Sequence, residues 1–199
     1  MDLTKLIMAQ LGEGGIDAMA QKIGADPKQT SSALEGVVPT LLGAMSNNAK
    51  SNEGASGLLG ALDRDHDGSI LDDVTGFIGN SDNGPGAGIL KHVLGDNKSA
   101  VESGLSQKTG LNSGQIGNML TMVAPLIMGY LGKQKREDSG GGFDLGGIAG
   151  MLGNLASTSD KSTGLDLGDV LSVVGGLTGG NSKGGSAGIG GLLGKLFGR

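Results

Sequence analysis

Between Asp63 and Asp73 the chain sets five carboxylates within 11 residues: Asp63-Arg64-Asp65-His66-Asp67-Gly68-Ser69-Ile70-Leu71-Asp72-Asp73. Alternating Asp63, Asp65 and Asp67 followed by Gly68 matches the first half of a calcium-binding loop. Oxygen ligands at positions one, three and five converge on the ion, and the glycine at six permits the sharp turn. Ser69, at position seven, would offer its carbonyl, and Ile70 at eight would anchor the loop in the core. The second half departs from that pattern. Leu71 stands at position nine, and position twelve, where a bidentate Glu belongs, is Val74. Asp72 and Asp73 fall one or two places early. Two readings therefore stand together: an irregular calcium site made of Asp63, Asp65, Asp67, Ser69, Asp72 and Asp73, or a solvated acidic turn in which Asp72 or Asp73 caps the next helix.

No catalytic residue can be named. Gly184-Gly185-Ser186-Ala187-Gly188 has the form G-x-S-x-G, but a nucleophile elbow needs a preceding strand and a following helix, and this one lies in a glycine-serine spacer. His66 and His92 are the two histidines. Neither has a partner at catalytic or metal-ligand spacing, so His66 is expected in solvent and His92 on a helix surface. Gly84-Pro85-Gly86-Ala87-Gly88 lacks the strand and spacing of a dinucleotide fingerprint, and there is no P-loop.

The elements that would position the acidic loop are helices. Apolar residues recur at three and four in Leu3–Leu11, where Gly14-Gly15 is expected to break the pattern, and again at Ile16, Met19, Ala20 and Ile23. After Gly24, Asp26 reads as an N-cap with Pro27 at the first helical position. Leu34, Val37, Val38, Leu41, Leu42 and Met45 then carry a longer helix. Shorter candidates are Ser56–Leu62, Ile70–Ile78, Ile89–Leu94 and Val101–Thr109, before a long helix from about Ser113 to Lys135. No alternating strand pattern appears, which makes the chain all-α.

A shift of 86 residues lays Gln21–Met45 on Gln107–Leu131 with eight identities in 25 positions. They are Gln21/Gln107, Lys22/Lys108, Gly24/Gly110, Gln29/Gln115, Leu34/Leu120, Val37/Val123, Pro39/Pro125 and Gly43/Gly129. About two would be expected from random pairing. Asp26 falls on Asn112, both good N-caps. An internal duplication of short helix, glycine turn and long proline-containing helix (units 21–45 and 107–131) is the expectation. A helix-interior proline removes a hydrogen bond and costs about 3 kcal/mol. Two at matching places point to a pair of central helices in similar surroundings, in preference to a functional hinge.

Composition changes near residue 136. Glycine supplies 20 of the 64 residues from Arg136 onward against 22 of the 135 before it. The expected division is a helical bundle over 1–135 and a glycine-rich, low-complexity tail over 136–199. The tail holds short apolar clusters at Leu145–Leu155, Leu165–Leu177 and Ile189–Phe197, none able to form a stable helix alone because each glycine costs up to about 1 kcal/mol. Such segments can stay unpartnered or order on a partner, a membrane surface or another copy.

With three Phe, one Tyr and no Trp, the core must be aliphatic, and modest stability follows. A net charge of −5 argues against nucleic acid as a partner. Both repeat units resemble a helix-turn-helix, yet Lys28 is the only base near the start of either second helix, so a packing hairpin is the better reading. The chain has no cysteine, which excludes disulfides and thiolate sites and fits a reducing compartment. The start of the chain lacks the basic and apolar regions of a secretory signal. The most apolar run, Met119–Gly132, is short of the roughly 20 residues a bilayer requires. A soluble cytoplasmic protein is expected.

The segment Val37-Val38-Pro39-Thr40-Leu41-Leu42-Gly43, its second copy, the acidic loop, and the ending Gly190-Gly191-Leu192-Leu193-Gly194-Lys195-Leu196-Phe197 resemble the bacterial YidB-like family, a domain of unknown function (number 937). The resemblance covers nearly the whole chain, most specifically residues 1–135. It implies an all-helical bundle with a central helix surrounded by others, and it brings no activity or functional residue. The expected function is that of a non-enzymatic structural or interaction protein. Calcium at the acidic loop is the one cofactor considered, and a protein partner or self-association the expected contact. Self-assembly or membrane association through the tail is the alternative, with DNA binding behind it.

Overall fold

A computed structural model describes residues 3–64, 68–81, 84–137 and 147–155 of the chain. Among the described residues every regular element is helical, with no strand. In order they are α1 (Leu3–Ile23), α2 (Pro27–Asn48), α3 (Asn52–Arg64), a 3-10 turn (Ser69–Leu71), α4 (Val74–Gly79), α5 (Gly86–Leu94), a second 3-10 turn (Gly95–Asn97), α6 (Lys98–Thr109) and α7 (Ser113–Glu137). A last helix, α8, spans 147–155.

Helix α2 starts where its sequence dictates. The Asp26 carboxylate accepts from the amide of Lys28 at 2.9 Å, and Pro27 sits where a missing amide costs nothing. Helix α7 starts on a reciprocal cap. The Asn112 side chain accepts from Gln115 N and the Gln115 side chain accepts from Asn112 N, each at 2.9 Å. Ahead of the two caps, Gly24 and Gly110 take φ of 67° and 76°, the left-handed conformation that closes a helix at low cost only for glycine.

A surface helix buries one stripe; α2 and α7 bury whole turns. Every residue from Gly36 to Leu42 and from Met122 to Gly129 is buried, so these helices are the centre of the molecule. They touch each other, α1 lies against α2 and α4, and α5 and α6 lie against α7. Met19, Met45, Met119, Met122 and Met128 join the leucines, isoleucines and valines of the core. The flexible thioether fills gaps that rings would otherwise occupy.

Pro39 and Pro125 lie inside these buried helices, and each deprives the carbonyl four residues earlier of its helical donor. For Pro125 that carbonyl belongs to Thr121, and the start of α5 packs directly on it. A Cβ added to Gly86 would lie 2.8 Å from both the carbonyl carbon and Cγ2 of Thr121, and closer still to the oxygen. Only glycine permits this approach. The hydroxyls of Thr40 and Thr121 bond back to the carbonyls of Gly36 (2.7 Å) and Gly117 (2.8 Å).

Three local expectations differ from the structure. The break in α1 comes at Gly12, with φ 58° and ψ −173°, whereas Gly14 and Gly15 are helical. Residues 70–78 form no single helix, because Asp73 caps α4 by accepting from Gly76 N at 2.8 Å and thereby separates it from the 3-10 turn. The apolar cluster over 145–155 forms α8 across 147–155, with Ile148 and Leu152 fully buried. Its glycines are tolerated because core contact supplies what propensity does not. The clusters over 165–177 and 189–197, and the G-x-S-x-G of 184–188, lie outside the described residues.

Candidate functional site

The acidic loop sits against the last turns of α7. Gly68 adopts φ 92°, and an added Cβ there would stand 3.0 Å from Lys133 Cβ and 3.2 Å from the Gly129 carbonyl oxygen. Ile70 reaches the same helix, where its Cγ2 occupies the space a side chain at Gly129 would need. The glycine at position six and the apolar anchor at position eight thus take the backbone turn and the core contact that their types suggested.

The candidate ligands are not gathered in one place among the described residues. Asp63, at the end of α3, accepts from the Lys135 ammonium at 2.5 Å. Asp73 is committed to the α4 cap, and Asp72 is exposed beside the 3-10 turn. Ser69 is exposed, and its carbonyl accepts from Asp72 N at 3.0 Å. Val74, in the position of the bidentate ligand, is buried. Asp65, His66 and Asp67 lie outside the described residues. Among those described, no group of three or more His, Asp or Glu side chains could hold a metal. Lys135 with its ion pair to Asp63, and Lys133 with its Cβ against Gly68, are two basic residues of α7 that the loop meets among the described residues.

The second feature is a groove of about 710 Å³ between α3 and α5. One wall is the α3 face of Gly54, Gly57, Leu58 and Ala61, and the other is the α5 face of Gly88, Ile89, His92 and Val93. Each set follows helical spacing, i, i+3, i+4, i+7 on α3 and i, i+1, i+4, i+5 on α5. Met128 of α7 closes the floor. The rim is polar: Glu53 and Ser51 line it, and Asn48 holds its end by donating to the His92 carbonyl at 2.6 Å. His92 is exposed, as its sequence context suggested, with Nδ1 2.9 Å from the Gly88 carbonyl oxygen. Added methyl groups at Gly57 or Gly88 would meet nothing within 4 Å, so the walls are open toward an occupant.

Sequence reading missed this groove. Its residues come from positions 48–61, 85–93 and 128, and nothing in the chain marks α3 and α5 as neighbours. The available signal was glycine at 54, 57 and 88 beside apolar residues on short helices, a pattern that also describes ordinary close packing.

Among the described residues, the titration of Tyr130 is displaced by its setting. Burial of the phenol, with the Glu137 carboxylate nearby, raises the Tyr130 pKa above the ordinary tyrosine value. No described helix is long and apolar enough to cross a membrane.

An all-α bundle with two central proline-containing helices, a groove between α3 and α5 and an acidic loop seated against α7 defines the architecture. Its family is clear from comparison: residues 5–134 match the model for a bacterial protein of unknown function (DUF937), well over half of the 199 residues. The chain belongs to that family, as the proline-containing segments suggested. No curated protein and no solved structure matches it to a significant degree.

Proposed function

We propose that the protein is a non-enzymatic interaction module that receives an apolar helical segment in the groove between α3 and α5. The observation that carries this reading is the groove itself: about 710 Å³, walled by two helix faces in register for a third, with an apolar floor and a polar rim. That is the anatomy of helix-in-groove recognition. A photo-reactive residue at position 57 tests it in living cells. A covalent adduct that forms there, is absent with the same residue at position 28, and is lost on Ala61→Glu supports the module. Equal labelling at both positions overturns it.

An internal duplication of units 21–45 and 107–131 is part of this reading. Its support is reciprocal contact between matching positions. Gln115 Nε2 donates to the Gly24 carbonyl at 2.9 Å, and a Cβ on Gly110 would lie 3.3 Å from Gln29 Nε2. Each unit's glutamine thus reaches the other unit's glycine turn, as a two-fold relation requires. Those turns and the first residues of α2 and α7 face one another, which speaks against either helix entering a DNA groove. The absence of cysteine supports a cytoplasmic setting.

Calcium binding at the acidic loop is a second proposal, favoured by the turn at Gly68 and the anchor at Ile70. Lys135 would have to release Asp63 for the ion to take it. Isothermal titration should show calcium-dependent heat in the wild type, lost in Asp65→Ala and strengthened in Lys135→Met. A wild type that gives no such heat ends the proposal.

A further inference from the structure

We propose that the groove between α3 and α5 is occupied by the chain's own C-terminal segment, Ile189–Phe197, acting as a tethered competitor of any outside partner. This rests on the groove being a docking site, and it names the occupant.

Three observations carry it. The first is pattern. Ile189, Leu192, Leu193, Leu196 and Phe197 recur at i, i+3, i+4, i+7 and i+8, the single apolar stripe of a helix that needs a groove. The remaining positions, Gly190, Gly191, Gly194 and Lys195, fall on the other face.

The second is dimension and charge. Counted from Glu53 at its rim, the α3 side of the groove runs to Ala61, eight helical steps or about 12 Å, and the stripe from Ile189 to Phe197 spans eight steps. Gly57 and Gly88 leave the walls free of side chains where an entering Leu or Phe would sit. Arg199 lies just past the stripe, and Glu53 lines the rim, so the signs of charge match at that end.

The third is the point of departure. Helix α8 places Ile148 and Leu152 in the core, and its Gly153 lies beside α2, where an added Cβ would be 3.7 Å from Ser46 Oγ. Asn48 and Ser51, a few residues past Ser46, line the groove. The chain therefore leaves its last described helix near the end of α2, the helix whose last residue, Asn48, lines the groove. The stretch from 155 to 189 could reach up to about 110 Å if extended, so the tether imposes no geometric bar. Tethering also raises the effective concentration of the segment to the order of mM.

The cysteine-free sequence makes the test clean. Gly57→Cys with Leu193→Cys is built into the full chain, with Lys28→Cys plus Leu193→Cys as the control. Lys28 is 20 residues from Asn48 along α2, or about 30 Å. On mild oxidation the first pair should close an intrachain disulfide at least tenfold faster than the control, at a rate independent of protein concentration. Adding Leu196→Asp should cut that rate tenfold while leaving far-UV circular dichroism unchanged. Equal rates for the two pairs overturn the proposal. Cross-links only between chains, forming faster as protein concentration rises, also overturn it and assign the groove to a second copy. Failure here with a surviving adduct at position 57 would leave the interaction module standing with an outside partner, so the two readings fail separately.

Discussion

Gly86→Ala is the sharpest test of how the two central helices hold their neighbours. The added Cβ would stand 2.8 Å from the carbonyl carbon and Cγ2 of Thr121, where carbon–carbon contact needs about 3.5–4.0 Å. Relief requires α5 to retreat from α7 by about 1 Å, since the obstructing atoms include backbone inside a buried helix and cannot swing aside. That retreat loosens Ile89, Leu90, Val93 and Leu94, all buried by α5. A radial gap of that size forfeits up to about half of each contact's dispersion energy. Overpacking costs about 1–3 kcal/mol, and a backbone obstruction belongs at the top of that range, so we expect a loss of about 3 kcal/mol. With a urea slope of about 2 kcal/mol per molar, the unfolding midpoint should fall by about 1.5 M. Gly88→Ala on the same helix is the control. It meets nothing within 4 Å, so replacing glycine should stabilise by about 0.5–1 kcal/mol. Urea titrations followed by circular dichroism measure both. A Gly86→Ala midpoint within about 0.3 M of wild type, or equal losses in both variants, would refute the close approach at Thr121.

Three further outcomes follow from single groups. The Thr30 hydroxyl is fully buried without a hydrogen-bond partner, so Thr30→Val should stabilise by about 1 kcal/mol in the same titration. Tyr130 is the chain's one tyrosine, and burial first, then Glu137, raises its pKa. Its ultraviolet titration should fall above that of the unfolded chain, and Glu137→Gln should lower it. Because the folded phenol keeps its proton longer, this contribution is whole below the unfolded tyrosine value and declines as pH climbs through the raised one. Asp73→Ala removes the acceptor for Gly76 N and should cost about 1 kcal/mol, seen as faster amide exchange in α4.

The long elements were legible because their signals are local. Asp26-Pro27 and Asn112 announce helix starts through capping chemistry, and the stripes behind them needed only counting. The break in α1 was misplaced because a glycine pair is a stronger composition signal than the single Gly12, while the actual turn depends on which glycine the packing drives to positive φ. Asp73 was read as one of two possible caps, but its capping role also cuts the 70–78 stretch in two, which periodicity alone cannot report. Helix α8 was hidden by its glycines, since its stability comes from Ile148 and Leu152 finding a core built by distant residues. The acidic loop revealed its turn and anchor through types and spacing. Its pairing of Asp63 with Lys135 joins residues 72 apart and is a product of the fold.

The sulfur of the interior gives this chain a built-in clock. Met19, Met45, Met119, Met122 and Met128 are at most 2% exposed, while Met8 and Met151 are only partly covered. Peroxide reaches a thioether only where solvent does, so the two peripheral methionines are oxidised from the native state and the inner five wait for the helices to part. The lag between the two groups, read peptide by peptide, is a direct count of how often the centre of the molecule opens.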